Sequence, residues 1–147
     1  MNTDYVKLHG DGKKQILADI LKGRIYACFY GRLSESHFNQ GQTILDTMFA
    51  LLNTLELSQI DYLLDLRFGL PFSKRVLELW VGKAEEVLTK YPKLNVVRIS
   101  DEQSPLWLQI STIQGLLDQY EGRIIGVFKT REEADAYLDE LRGHTIA

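Results

Sequence analysis

Asp65 lies near the end of an apolar, strand-like run, residues 60–67, and Arg67 follows two positions later. Ser73 stands at a helix-start signal, and Lys129 lies just past another strand-like run. Gathered at one end of a sheet, these four side chains could do anion chemistry, with Asp65 as a base and Arg67 or Lys129 stabilising negative charge. Nothing in their spacing requires them to meet. An aspartate facing a lysine can also accept a phosphoryl group, but that reaction needs further acids to hold magnesium. Gly31, Arg32 and Leu33 stand where those acids would follow residues 25–30. The simpler expectation is a structural ion pair between Asp65 and Arg67 or Lys129.

Other chemistries find less footing. The three histidines, His9, His37 and His144, are far apart and have no HExxH spacing, and Cys28 is the only cysteine, so no metal site and no cofactor is expected. Cys28 sits in an apolar strand and reads as a buried thiol rather than a nucleophile. The stretch 10–14 (GDGKK) lacks the glycine spacing and terminal hydroxyl of a phosphate-binding loop, and no Gly-x-Ser-x-Gly elbow occurs.

One loop is unusual. Residues 68–72 (FGLPF) are apolar at the carboxyl end of a strand, where open α/β sheets often form a crevice. Phe68, Leu70, Phe72, Ser73 and Arg67 are therefore the expected binding or interaction surface, with residues 32–37 as its extension. Asp65 and Lys129 form the candidate polar cluster. An alternative is a pocket for a small apolar ligand or lipid, lined by Phe68, Leu70, Phe72 and Trp80 or Trp107.

The elements that must position these residues are legible from period and punctuation. Residues 4–22 predict an antiparallel hairpin turning at 10–12. Residues 24–33, 60–67, 94–100 and 123–128 predict strands, the first of them apolar on both faces. Ile44, Leu45, Met48, Leu51, Leu52 and Leu55 give a helix running from about residue 37 to 57. Ser73 caps a second, over 74–90, with Val76, Leu77, Trp80, Val81, Ala84, Val87 and Leu88 inward. Ser104-Pro105 opens a third, through Trp107, Ile110, Ile113, Leu116 and Leu117 to Gly122. Thr130 and Glu133 make a capping box for the last, which turns Ala134, Tyr137, Leu138 and Leu141 to the sheet and ends at Gly143. The reading is one α/β domain over residues 1–147, with a mainly parallel central sheet, an N-terminal antiparallel hairpin and helices packed on the sheet.

This order resembles the STAS fold, in particular its SpoIIAA-like branch. The likeness rests on residues 25–33, a strand ending in glycine and a short polar stretch. It rests also on residues 62–67 (YLLDLR), a strand ending in Asp65, and on residues 127–134 (VFKTREEA), a strand followed by a Thr-x-x-Glu-Ala helix. The resemblance implies a non-enzymatic regulatory or protein-interaction domain. Anti-sigma antagonists of that family carry an Asp-Ser-Ser-Gly-like loop with a phosphorylated serine. Here residues 68–73 stand in its place, and Ser73 is the only hydroxyl.

The net charge of −3 gives no electrostatic reason to expect nucleic acid. No apolar run is long enough to span a bilayer, and the first residues have no apolar signal core, so the expected place is the cytoplasm. A protein partner, including a second copy of the chain, is the expected ligand. A small apolar molecule is the alternative, and an enzyme of unknown class is a further one.

Overall fold

The computed structural model describes residues 4–112, 120 and 122–144. Six strands form one sheet in the order β1-β2-β3-β4-β5-β6. β1 (Val6–Gly10), β2 (Lys14–Asp19) and β3 (Arg24–Phe29) pair antiparallel. β4 (Ile60–Asp65), β5 (Leu94–Ile99) and β6 (Ile124–Phe128) continue from β3 in parallel. Four helices are described: α1 (Glu35–Thr54), α2 (Lys74–Lys90), α3 (Pro105–Thr112) and α4 (Arg131–Arg142). This is the α/β domain with a mixed sheet that the sequence predicts.

The strand order dictates where the helices lie. From β3 to β6 the chain steps always to the next strand on the same side. Crossovers of one hand then put every connecting helix on one face. Phe38, Leu45, Phe49 and Leu52 of α1, Val76 and Val87 of α2, and Leu106 and Ile110 of α3 share one core with Ile25, Ala27, Leu64 and Leu94. α4, which follows the last strand, is left with the opposite face. Its Ala134 and Leu138 join Tyr26, Cys28, Leu63, Val97 and Ile99 in a second, smaller core.

The cap signals at Ser73 and Thr130 act as read, accepting hydrogen bonds from the backbone N–H groups of Val76 and Glu133, and Ser34 caps α1 in the same way through His37. Gly143 ends α4 at φ 75°, the left-handed position where glycine has no side-chain penalty. Glu133 reaches back to the N–H of Lys129, one residue before the cap. The predicted third helix is described only to Thr112. Its Ile113, Leu116 and Leu117 lie outside the described residues.

Three helix faces differ from the periodic expectation. Leu51 and Leu55 of the first stripe are exposed, while Phe38 and Phe49 are buried in their stead. Tyr137 and Leu141 of α4 are 42% and 49% exposed. Tyr137 packs sideways on Phe128 instead of facing the sheet. In α2, only Val76, Val87 and Leu88 are buried. Leu77, Trp80, Val81 and Ala84 between them are half-covered.

With two fully buried apolar side chains, α4 depends on each. Leu138→Ala should cost about 2–5 kcal/mol, read as a lower urea midpoint. Hydrogen exchange should rise in α4 before it rises in α1.

Candidate functional site

The parallel register sets Cys28 beside Asp65 and Asp65 beside Ile99. Alternation then turns Tyr26, Cys28 and Asp65 to the same face, the one covered by α4. Asp65 is fully buried. Tyr26 donates its hydroxyl to Asp65 Oδ2 at 2.6 Å. Arg67 returns around the strand end and grips both carboxylate oxygens, with Nη2 to Oδ2 at 2.7 Å and Nε to Oδ1 at 3.0 Å. The Arg67 backbone N–H also donates to Oδ1, at 3.1 Å. Arg67 Nη1 reaches the carbonyl of Lys129, at 3.4 Å, at the end of β6.

Both oxygens of Asp65 are therefore committed to donors that belong to the fold. A general base needs an exposed lone pair within reach of a substrate proton. Asp65 offers none. Lys129 meets the cluster only through its backbone carbonyl, and its side chain is exposed. Ser73 caps α2, and among the described residues it shares no hydrogen bond or ion pair with Asp65, Arg67 or Lys129. The four residues of the sequence hypothesis are split between a buried ion pair, a cap and a solvated amine.

Burial, together with the Asp65 carboxylate, pushes the Cys28 thiol up, which keeps it an unreactive core group. Among the described residues, no three His, Cys, Asp or Glu side chains come together as a metal site. No helix among them is long and apolar enough to cross a membrane.

The surface beside the ion pair is more distinctive. β3 and β4 are joined past their ends by an isolated bridge between Gly31 and Gly69. Gly31 sits at φ 66° and exchanges backbone hydrogen bonds with Phe68 and Leu70. A side chain at Gly69 would run into a methyl of the buried Leu106, which would have to shift to admit it. Gln109 of α3 holds the next turn, accepting from the Phe72 N–H at 2.6 Å and donating to its carbonyl at 2.9 Å. The loop is strapped at both ends.

What it presents is half of what the sequence suggests. Phe72 turns inward, 5% exposed, and packs edge-on against Phe38, so it is core and not surface. Phe68 and Leu70 remain outside, at 49% and 47%. The Phe68 ring lies 4.8 Å from the Arg67 guanidinium and stacks on Tyr30, with centroids 5.8 Å apart. Tyr30 is the third exposed apolar group here. Lys13, Arg32 and Lys129 are exposed beside it, and their side chains form no ion pair among the described residues. Of Phe68, Leu70, Phe72, Trp80 and Trp107, only Trp80 lines the cavity beneath α2.

A second polar cluster escaped the sequence reading. Lys14 is fully buried, its ammonium held by Asp11 at 3.1 Å and Gln40 at 2.9 Å, with His37 Nδ1 at 3.4 Å. It fastens the hairpin turn to the start of α1. The signal was available, because Lys14 is in phase with Ile16 and Ala18 on the helix-covered face.

Compared with protein-family models, with curated proteins and with solved structures, the chain finds no significant match.

Removing one partner of a buried ion pair strands the other. Arg67→Met should cost about 3–5 kcal/mol in urea unfolding, and the double variant with Asp65→Leu should recover most of it. A double variant as unstable as the single one would show that the pair is not what Arg67 contributes.

Burial holds the phenols of Tyr5, Tyr26 and Tyr62 above the ordinary tyrosine range, with Asp135 adding to the first and Asp65 to the second. A folded-state value above the unfolded one makes the native state the better proton holder at alkaline pH. Stability from this source is intact below the unfolded value of about 10 and falls as pH rises past it. The urea midpoint should decline above that pH. Absorbance at the tyrosinate band should show these phenols ionising only as the chain unfolds.

Proposed function

We propose that this chain is a non-catalytic regulatory or protein-interaction domain of STAS-like layout, acting in the cytoplasm. It binds a protein partner through the sheet end where Tyr30, Phe68 and Leu70 emerge. The observation that carries this reading is the strapped loop. An exposed aromatic and an exposed leucine on an ordinary flexible loop would lose affinity to ordering on binding. Here the Gly31–Gly69 bridge, the Arg67 guanidinium and Gln109 remove that cost beforehand. Apolar anchors held in place within a polar rim are the common anatomy of a binding hot spot. Lys13, Arg32 and Lys129 supply the rim, which favours a partner carrying carboxylates around an apolar contact.

The same arrangement weakens an enzymatic reading of this end, because Asp65, its best base, is occupied by Arg67 and Tyr26. The STAS likeness supports the proposal through layout alone, since one fold serves many functions.

The test is a pull-down from the native cell with the wild-type chain and with Phe68→Ser/Leu70→Ser. Both side chains are half exposed, so the variant should keep its melting temperature within a few degrees, roughly ±0.5 kcal/mol for each surface change. At least one protein recovered by the wild type should be lost with the variant. Equal recovery of every partner would rule this surface out.

A further inference from the structure

Helix α1 has an exterior unlike those of α2 and α4. From Ser36 to Leu55 its only ionisable side chains are His37 and Asp46. Asp46 is bound to Lys83 of α2 at 2.7 Å, and His37 stands 3.4 Å from the Lys14 ammonium. Helices α2 and α4 are charged along their whole length. The exposed threonines of α1 bring no free donor to the surface either. Thr43, Thr47 and Thr54 donate their hydroxyls to carbonyls of their own helix. A surface helix ordinarily turns charged residues to water. Depletion of charge is instead a mark of the buried centre of an interface.

This uncharged exterior runs into an apolar corner. Glu35 and Asp46 reach Arg75 and Lys83 of α2, so the opposite flank of α1, with Leu51 and, at the cap, Leu55, faces away from α2. On that flank Gln40 meets Lys14 of β2, which places it toward the free edge of the sheet. There β1 sets Val6 opposite Ala18 of the larger core, so Val6 is turned to the same face as α1. Because α1 runs back from the end of β3 to the start of β4, its last turns lie over the sheet end where Val6 pairs. Leu51, Leu55 and Val6 are 44%, 36% and 61% exposed, and Ile20, just after β2, is exposed as well. Apolar surface contributed by several elements at one place marks an interaction site.

We propose that a second copy of this chain covers the corner, in a two-fold dimer. The Leu51 and Leu55 flank of each α1 packs against the α1 flank and the Val6 shelf of the other copy. A two-fold contact sets one surface against itself, so any charge on it would meet its own kind. The α1 flank satisfies that condition, and it gives a foreign partner no charge to select it by. Backbone pairing of β1 is not the contact, because Lys7 and the irregularity that follows it blunt that edge. The dimer face is separate from the Tyr30–Phe68–Leu70 surface and stands whether or not that surface binds a protein.

Sedimentation of the full chain is the test, in a dilution series from hundreds of micromolar down to low micromolar. The mass should approach that of two chains at the top and fall toward one on dilution. Raising the salt from about 50 to about 500 mM should not weaken the dimer, since no ion pair crosses the contact. Over the same series, wild-type amide signals of α1 and β1 should shift with concentration while those of residues 68–70 stay fixed. Leu51→Lys/Leu55→Lys, which sets like charges against each other, should raise the dimer Kd roughly tenfold or more. Its melting temperature should match that of the wild type at concentrations where both are monomers. Phe68→Ser/Leu70→Ser should dimerise as the wild type does, so that failure of either surface is read separately. A monomer at every concentration, shifts that leave α1 and β1 untouched, or an unchanged dimer in the folded Leu51→Lys/Leu55→Lys chain would each overturn the proposal.

Discussion

The carboxylate of Asp65, buried at the end of a central strand, is the constraint around which one end of this molecule is arranged. A charge in that position must be met by donors or it costs several kcal/mol. The chain meets it from within two residues, by turning Arg67 back over the strand end. That turn has consequences beyond the pair. It brings the guanidinium over Phe68 and sets that ring against Tyr30. It also gives Nη1 a hold on the carbonyl of Lys129, so the ends of β4 and β6 are tied although β5 lies between them. An aromatic ring gripped on this scale is surface that does not reorganise when something binds to it.

The other end of the sheet is joined by charges too, for a different reason. Three crossovers stepping in one direction place α1, α2 and α3 on one face, and α4 alone must cover part of the other. Ala134 and Leu138 are the only α4 side chains fully buried among the described residues. Ion pairs and hydrogen bonds supply the rest of the docking. Arg24, itself 1% exposed, meets Asp135 and Asp139, Arg142 takes both oxygens of Asp61, and Tyr5 donates to Asp135. Burial raises the Asp135 carboxyl, against the pull of Tyr5, Arg24 and Arg131. These contacts fix where α4 sits more than they add stability, since buried pairs roughly offset their own desolvation.

Much of this was legible in the sequence because it is local. Period and punctuation place the strands, the hairpin, the caps at Ser73 and Thr130, and the left-handed exit at Gly143. Alternation also gives the faces, so that Tyr26 and Cys28 fall opposite Ile25 and Ala27. What alternation cannot supply is register between strands. The pairing of Asp65 with Tyr26 depends on Cys28 lying beside Asp65, a relation set across residues 29–59. The inward turn of Phe72 had no local signal either, because it follows from Gln109 of α3 clamping its backbone. The apolar period of α2 was correct as a period and still misjudged burial. Covering those residues depends on how closely the helix approaches the sheet, which no single helix encodes.

The buried charges share a position that separates structure from chemistry in this fold. Lys14, Arg24, Asp61 and Asp65 all lie at strand ends, and each meets a partner from the next turn or from a helix. Strand ends are where the ladder stops and backbone and side chain must find other partners, so a charge there can be satisfied by the element that follows. Arg98 is placed differently. It lies within β5, between Val97 and Ile99, and its guanidinium packs on the Trp107 ring of α3.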